Sequence, residues 1–126
     1  MKKILIVIAD YYEDISSTLL KSAKNNLNNF SIKVIRVPGV FEIPVTISKN
    51  IKKYDAFIAL GCVIKGETPH FDFISSASTQ AIMNLSIDFK KPIGNGIITC
   101  LNMKQAKARG KKGKEAAKAV ISVLSQ

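Results

Sequence analysis

The residues that could do chemistry lie in a few short segments. Asp10-Tyr11-Tyr12 offers an aromatic face, Val37 to Glu42 brings a glycine and a carboxylate, and Gly61 to Phe71 holds two glycines and His70, the only histidine. Further along the chain, Arg109 supplies a guanidinium. Aromatic, carboxylate, imidazole and guanidinium groups, with backbone amides left open by glycine, suit a polar substrate that contains a ring and a phosphate group.

Each of these features also has a purely structural interpretation. A single histidine is more often structural or exposed than catalytic, and Glu42 could simply complement the dipole of a helix that begins beside it. Tyr11 could be a surface aromatic, Gly66-Glu67-Thr68 a turn, and Arg109 a cation near a helix end marked by Gly110. The functional interpretation therefore depends on whether the fold brings these segments to one place.

Strands and helices alternate along the chain. Continuous apolar runs rich in β-branched residues predict strands buried on both faces, and apolar residues at helical spacing predict the helices between them. The predicted elements are a strand at Ile4 to Ala9, a helix with apolar positions Ile15, Leu19, Ala23 and Leu27, a strand at Ile32 to Val37, a helix from about Pro44 to Lys53, a strand at Asp55 to Leu60, a helix with Ile74, Ala77, Ala81 and Leu85, a strand at Ile93 to Thr99, and helices at Asn102 to Ala108 and Glu115 to Leu124.

This alternation predicts an α/β fold of three layers, with an open, mainly parallel four-stranded sheet flanked by helices on both faces. In such sheets ligands bind beyond the carboxyl ends of the strands. The chemical segments follow strand ends, including a predicted loop from Gly61 to His70, and the apolar stripes of the helices carry none of them. We therefore predict a substrate site at that edge of the sheet.

Composition restricts the class of protein. A chain of 126 residues, 47% hydrophobic and 22% charged, predicts one globular domain over residues 1–126. Nineteen Lys and Arg against nine Asp and Glu give a net charge of +10, which favours anionic ligands. The lysine-rich stretch from Lys104 to Lys118 is interpreted mainly as a solvated helical face with a turn at Gly110 and Gly113. It lacks the aromatic stacking surface of a protein that binds single-stranded nucleic acid. We expect no nucleic-acid partner.

The same composition predicts a cytoplasmic protein. Cys62 and Cys100 are too few for a disulfide framework and lack metal-ligand spacing, so reduced thiols and no metal site are expected. The apolar run from Ile4 to Ala9 is too short to span a membrane, and acidic residues rather than a cleavage pattern follow it. We expect no membrane partner.

Three motifs resemble a known family. They are Pro38-Gly39-Val40-Phe41-Glu42-Ile43-Pro44, then Gly61-Cys62-Val63-Ile64-Lys65-Gly66-Glu67-Thr68-Pro69-His70-Phe71-Asp72, and Gly96-Ile97-Ile98-Thr99 followed by Gln105-Ala106 and Arg109. In these motifs, and essentially from end to end, the chain resembles the 6,7-dimethyl-8-ribityllumazine synthases. The resemblance implies a transferase that catalyses the penultimate step of riboflavin biosynthesis, without a metal or an organic cofactor. Its two small-molecule substrates would be 5-amino-6-(D-ribitylamino)uracil and the phosphorylated 3,4-dihydroxy-2-butanone 4-phosphate, which condense with release of phosphate and water.

The resemblance also implies a role for each matching residue. Tyr11 stands where the family stacks an aromatic ring on the pyrimidine, and His70 matches the proton-transfer residue. The other matches are Val40, Phe41 and Glu42 along the ribityl chain, Cys62, Val63 and Ile64 along the pyrimidine, Glu67, Thr68 and Arg109 at the phosphate, Asn95 at a pyrimidine-pocket position that is aromatic in many members, and Lys112 at the family's active-site lysine. The segment between Arg109 and Lys112 is shorter than is common.

Assembly follows from the same resemblance. It implies a homo-oligomer with active sites at subunit interfaces, in which Tyr11, Glu42 and His70 of one chain meet Arg109 of a neighbour. The expected unit is a cyclic pentamer, and a larger shell and association with riboflavin synthase stay open.

Two other classes of protein share the predicted sheet. A flavodoxin-like module that binds a nucleotide or flavin would need a phosphate-cradling cluster after the first strand, where Ala9-Asp10-Tyr11-Tyr12-Glu13 offers none. A response-regulator-like signalling domain would need a phosphoacceptor aspartate after the third strand, which ends Ala59-Leu60-Gly61.

Overall fold

The core of the fold is a sheet of four parallel strands. The structure is a computed structural model that describes all 126 residues. The strands are β1 (Lys3–Ala9), β2 (Ser31–Val37), β3 (Ala56–Ile64) and β4 (Ile93–Cys100), in the spatial order β2-β1-β3-β4. Every neighbouring pair runs parallel. Because parallel neighbours need crossover connections, the chain must return across a face of the sheet after each strand.

Five helices make these returns. They are α1 (Glu13–Lys24), α2 (Ile43–Asn50), α3 (His70–Phe89), α4 (Met103–Ala108) and α5 (Lys112–Leu124), and a short 3-10 turn (Val40–Glu42) precedes α2. Apolar residues of α1, α4 and α5 pack on one face of the sheet, and those of α2 and α3 pack on the other. The predicted three-layer α/β architecture is confirmed. None of the helices combines the length and the apolar character that crossing a bilayer requires.

Burial on both faces of the sheet explains why the sequence of β1 is an uninterrupted apolar run. Ile4, Ile6 and Ile8 belong to the α1/α5 side of the core, whereas Leu5 and Val7 belong to the α2/α3 side. Residues 4–9 are all at most 2% exposed. A central strand has no solvent face, so the alternation of polar and apolar residues typical of half-exposed strands is absent.

β3 is longer than the sequence predicts. The prediction that the strand ends at Leu60 and that a loop begins at Gly61 was wrong, because residues 61–64 pair with residues 97–100 of β4. Gly61 is a packing residue here rather than a strand terminator. A Cβ at Gly61 would lie 2.8 Å from Val40 Cγ2, so its absence lets the 3-10 turn close against the strand.

Two helix boundaries also differ from the prediction. α1 ends at Lys24, so Leu27 lies outside the helix although it is fully buried in the core. α2 ends at Asn50, one turn earlier than predicted. In both places a buried apolar residue, Leu27 or Ile51, continues the hydrophobic pattern past the last hydrogen-bonded turn.

α5 begins at Lys112, one turn before the predicted Glu115. The sequence interpretation treated Gly113 as part of a turn, but this residue lies inside the first turn of α5, against the backbone of α1. A Cβ there would collide with the carbonyl oxygen of Leu19 and would lie 3.1 Å from the amide nitrogen of Ala23. Glycine therefore permits α1 and α5 to approach backbone to backbone.

We predict that Gly113→Ala lowers the free energy of unfolding by about 1–3 kcal/mol or more, because the new methyl meets rigid backbone rather than a flexible side chain. Urea denaturation measures the change. Gly66→Ala is the matched control: nothing lies within 4 Å of a Cβ there, and its stability should stay within about 0.5 kcal/mol of the parent. Equal stabilities of the two variants would contradict the proposed close approach.

Candidate functional site

A cavity lies at the carboxyl ends of β1, β2 and β3, beside the start of α3. We call it the tyrosine cavity. Its volume is about 640 Å³, which falls in the usual range for small-molecule sites. Its lining residues are Tyr11, Tyr12, Gly39, Val40, Phe41, Glu42, Val63, Ile64, His70 and Ile74.

Tyr11 presents an exposed ring at this cavity. Tyr11 is 75% exposed, and its ring meets that of Tyr12 edge to face, with 4.9 Å between centroids. Hydrogen bonds hold the backbone that carries it: the amide of Asp10 donates to the carbonyl of Val37 at 3.0 Å, and Arg36 Nη1 lies 3.0 Å from Asp10 Oδ1. The firmly held segment leaves a ring face of Tyr11 free to stack on a planar ligand.

Tyr12 faces inward instead. It packs against the α1/α5 side of the core, and burial, followed by the neighbouring Tyr11 and Cys62, raises the pKa of its phenol. Tyr12 is therefore a neutral hydroxyl at physiological pH. Both tyrosines line the cavity, but Tyr12 is anchored against the core whereas Tyr11 is exposed.

Glu42 brings an unpaired carboxylate to the cavity. It ends the 3-10 turn, and its main-chain carbonyl accepts a hydrogen bond from Thr46 Oγ1 at 2.8 Å, which fixes the backbone. The only ion pair of the chain joins Arg36 to Asp10, so no cation neutralises Glu42. One carboxylate oxygen would lie 3.2 Å from a Cβ at Gly39, which means that the side chain folds over this glycine. Such a carboxylate is able to accept hydrogen bonds from ligand hydroxyl groups.

His70 is the first residue of α3, and an exposed loop leads to it. In that loop the backbone N–H groups of Gly66, Glu67 and Thr68 donate to no acceptor of the chain, and the amide of His70 makes only a 3.4 Å contact with Thr68 Oγ1. Free amides next to the positive end of a 20-residue helix favour an anion. These free amides come just before His70 in the chain, at the amino end of α3.

A second cavity lies between the edge strand β4, α4 and the start of α5. We call it the arginine cavity; its volume is about 510 Å³. Its lining residues are Asn95, Ile97, Ile98, Thr99, Ala108, Arg109, Lys111, Lys112 and Glu115. Two lysines and an arginine against a single carboxylate make it a cationic surface.

Hydrogen bonds to the chain itself orient two residues of the arginine cavity. Arg109 Nη1 donates to the carbonyl of Thr99 at 3.1 Å and lies 3.9 Å from Cys100 Sγ, which leaves the other guanidinium N–H groups free. Asn95 Oδ1 accepts from the amide of Ile97 at 3.1 Å. β4 is an edge strand, so Asn95 satisfies a backbone donor that has no neighbouring strand to pair with.

The structure divides the predicted site residues into two groups. The tyrosine cavity collects Tyr11, Val40, Phe41, Glu42, Val63, Ile64 and His70, the arginine cavity collects Asn95, Arg109 and Lys112, and no residue lines both. Glu67 and Thr68 lie in the exposed loop before His70. The division follows from the fold, because α3 covers one face of the sheet whereas α4 and α5 cover the other.

Cys62 lies in neither cavity. Its side chain is buried on the α1/α5 side of β3 together with Ile98 and Cys100, while its neighbour Val63 faces the opposite side. Burial, and then the adjacent Cys100 thiol, raises the pKa of Cys62 from 9.0 to about 12. Alternation along a strand separates the two side chains, so only the backbone of Cys62 is available to a ligand.

Sequence reasoning missed several lining residues. Ile74 was interpreted only as part of the apolar stripe of α3, and Thr99 as the end of a strand, yet Ile74 lines the tyrosine cavity and the Thr99 carbonyl holds Arg109. A contact made by a backbone carbonyl cannot be predicted from residue type. No group of three or more His, Cys, Asp or Glu side chains is placed to hold a metal ion.

Comparison with known proteins decides the family. The family model of 6,7-dimethyl-8-ribityllumazine synthase matches residues 1–126. The chain belongs to the 6,7-dimethyl-8-ribityllumazine synthase family. This membership confirms the resemblance found in the motifs and, with it, a transferase of riboflavin biosynthesis. It also favours the enzyme over the flavin-binding and signalling alternatives.

Curated relatives cover nearly the whole chain. 6,7-Dimethyl-8-ribityllumazine synthase 1 of Rhodopseudomonas palustris is 43% identical, with 97% of this chain and 83% of the relative aligned. The 6,7-dimethyl-8-ribityllumazine synthase of Agrobacterium fabrum is 42% identical, with 96% of this chain and 91% of the relative aligned. A 3-dehydroquinate dehydratase-like protein from Bifidobacterium longum has a similar solved structure, with a TM-score of 0.54 over both full chains at 14% identity. That last likeness concerns the fold alone.

We predict that Cys62 of the native protein resists alkylation. A pKa near 12 rather than 9.0 leaves about a thousandfold less reactive thiolate at neutral pH, and the side chain is only 6% exposed. Iodoacetamide at pH 7.5, followed by mass spectrometry of the Cys62 peptide, measures the rate. The guanidinium-unfolded chain is the control and should label fully. Equal rates in the native and unfolded chains would contradict the burial of Cys62.

Proposed function

We propose that this protein condenses 5-amino-6-(D-ribitylamino)uracil with 3,4-dihydroxy-2-butanone 4-phosphate to give 6,7-dimethyl-8-ribityllumazine, phosphate and water. The observation that carries the proposal is the division of the site residues. The tyrosine cavity has a free aromatic ring, an unpaired carboxylate and an imidazole, and the arginine cavity has the cations that a phosphate ester needs. Each cavity supplies what the other lacks.

Because one chain keeps the two cavities apart, the proposed active site forms between two copies. The tyrosine cavity of one subunit would face the arginine cavity of the next, and repetition of this head-to-tail contact closes a ring. Large apolar side chains near the tyrosine cavity favour such an assembly: Phe41, Val45 and Phe73 are 66%, 58% and 68% exposed in the single chain. We propose a cyclic pentamer as the functional unit; association with riboflavin synthase and a cytoplasmic location stay predictions.

In the proposed complex the pyrimidine stacks on Tyr11 and runs along the Val63–Ile64 edge of β3, with the backbone of Cys62 beside it. The ribityl chain lies over the 3-10 turn, where the carboxylate of Glu42 accepts hydrogen bonds from its hydroxyl groups. Val40 and Phe41 shield this part of the ligand from water. Asn95 of the neighbouring subunit would close the far side of the pyrimidine with a polar amide.

The phosphate of the second substrate lies between the loop amides of residues 66–68 and the guanidinium of a neighbour's Arg109. The free guanidinium N–H groups form charge-assisted hydrogen bonds with its oxygens, and Lys112 adds a second positive charge. Thr68 Oγ1 is a further donor. This arrangement holds the ketone carbon next to the 5-amino group of the stacked pyrimidine, and such orientation alone accelerates bimolecular reactions strongly.

Each step of the proposed reaction requires a proton transfer. The 5-amino nitrogen attacks the ketone and expels water to form an imine. Loss of a proton from the adjacent carbinol carbon expels phosphate and leaves an enol, which takes up a proton at its terminal carbon and loses the hydroxyl proton to become a ketone. The ribitylamino nitrogen then attacks this new ketone, which closes the ring with loss of a second water. His70 lies at the tyrosine cavity beside the phosphate loop, so its imidazole is placed to shuttle these protons.

The direct test is incubation of the purified protein with both substrates, followed by the absorbance of lumazine and by free phosphate. The proposal expects both products in equal amounts. Phosphate released without lumazine, or no conversion, would refute it.

We predict that Arg109→Ala raises the Michaelis constant for the butanone phosphate about ten- to a hundredfold and leaves that for the pyrimidine nearly unchanged. The reason is that a hydrogen bond to a charged group contributes about 1.5–3 kcal/mol. Arg109→Lys should recover only part of the loss, because a point charge lacks the bidentate fork.

His70→Ala is the contrasting variant in the same assay. It should lower kcat, at or below the low end of the hundred- to ten-thousandfold range of acid–base catalysis, with both Michaelis constants nearly unchanged. The assignment of roles fails if Arg109→Ala instead raises the Michaelis constant for the pyrimidine substrate, or if His70→Ala turns over at the parental rate.

A further inference from the structure

Arg109 depends on a very short helix for its position. α4 has only six residues, and two residues, Leu101 and Asn102, join it to the end of β4. Isolated helices of this length are unstable in water, so contacts outside its own backbone ladder must hold α4 in place. Ala106, which is 1% exposed, is the only residue of α4 that is buried in the core.

Two side-chain hydrogen bonds fix the start of α4. Asn102 Oδ1 accepts from the amide of Gln105 at 2.9 Å, and Gln105 Oε1 accepts from the amide of Leu101 at 2.8 Å. The pair is a variant of the reciprocal capping box, in which the side chain of the third helical residue reaches back to the chain before the helix. Gln105 thereby ties the helix to the backbone that leaves β4.

The side chain of Arg109 fixes the other end through the Thr99 carbonyl and a weaker contact with Cys100 Sγ at 3.9 Å. Arg109 follows α4, its amide donates to the carbonyl of Ala106 at 3.2 Å, and its guanidinium returns ten residues to the carbonyl of Thr99 at 3.1 Å. The Arg109 side chain is otherwise exposed and forms no ion pair. The direction of the guanidinium is therefore set by where α4 starts and how it is turned relative to Thr99.

We propose that Gln105 is a positioning residue for Arg109: through its bond to the Leu101 amide it sets the path of α4 so that the guanidinium lies at Thr99 and faces the arginine cavity. The proposal rests on the phosphate-binding role of Arg109 proposed above. Only the side-chain oxygen of Gln105 is used in this bond, so Glu retains the acceptor and Ala removes it. A carboxylate in the first turn is also compatible with the helix dipole.

The test compares Gln105→Ala, Gln105→Glu, Arg109→Ala and the double variant Gln105→Ala/Arg109→Ala in the lumazine assay. We expect Gln105→Ala to raise the Michaelis constant for the butanone phosphate about three- to thirtyfold, the size of a lost helix cap, with kcat and the pyrimidine constant nearly unchanged. Gln105→Glu should stay close to the parent. Lys107→Ala, an exposed residue of the same helix with no side-chain hydrogen bond, is the matched control and should not change.

The double variant separates positioning from general stability. If Gln105 acts through Arg109, the double variant is no worse than Arg109→Ala alone, because the group to be positioned is already missing. Multiplied losses in the double variant, or a Gln105→Ala defect that affects kcat and both Michaelis constants alike, would overturn the proposal.

A crystal structure of Gln105→Ala tests the positioning without reference to activity. The proposal expects the contact of Arg109 Nη1 with the Thr99 carbonyl to be lost, and a retained contact overturns it. If the parental protein makes no lumazine, or if Arg109→Ala leaves the Michaelis constant for the butanone phosphate unchanged, the proposed function fails. The crystal structure of Gln105→Ala still decides the role of Gln105 in that case.

Discussion

The structure depends on the complete burial of β1 between two parallel neighbours. Residues 4–9 lose almost all contact with water, and both of their faces are covered by helices. Parallel pairing on both sides forces every connection to cross over the sheet, so the chain leaves β1, β2 and β3 at the same edge. The tyrosine ring, the carboxylate and the imidazole meet there because the hydrophobic effect holds their strands in register, not because they attract one another.

The same constraint explains why the proposed site is incomplete in one chain. The crossover after β3 passes through α3 on one face, and the segment after β4 turns to α4 and α5 on the other. The cations carried by that last segment line a different cavity from the one that His70 lines. A site that binds a heterocycle and a phosphate ester together then needs a second copy, and the edge of β4 with its adjoining cationic cavity is the surface the next subunit would use. In the proposed assembly, the sharing of one site between two chains is a consequence of this topology.

How far the sequence predicts this arrangement differs from residue to residue. The burial of Ile4 to Ile8 and the apolar stripe of α1 are read directly from hydrophobic pattern, which reports the environment of each side chain. Gly61 and Gly113 were interpreted as turn residues because glycine in a sequence does not distinguish a chain that bends from two backbones that touch. Cys62 matched a substrate-binding motif, yet its side chain faces the core; the alternation with Val63 could have revealed that only one of the two faces the cavity.

The division into two cavities has no signature in the sequence, because it depends on which face each crossover takes. His70 and Arg109 both follow strand ends, so the sequence predicts that they share one site. Only the three-dimensional structure shows that they line different cavities. The family resemblance leads to the expectation that these residues meet at a subunit interface, which hydrophobic pattern alone does not. Contacts made by backbone atoms, such as the Thr99 carbonyl at Arg109, are likewise invisible until the fold is known.

The central claim is that one active site draws on two chains, and mixing subunits with complementary defects tests it most directly. One chain carries Glu42→Ala and His70→Ala, the other Arg109→Ala, and the two are co-expressed with different tags so that mixed oligomers can be purified. In a random mixture of equal parts, about a quarter of the interfaces of a closed ring combine two intact halves. With butanone phosphate well below the parental Michaelis constant, we predict that each variant alone keeps at most about a tenth of the parental rate and that the mixed oligomers recover roughly a quarter of it. Mixed oligomers no faster than either variant alone would contradict a site shared between subunits.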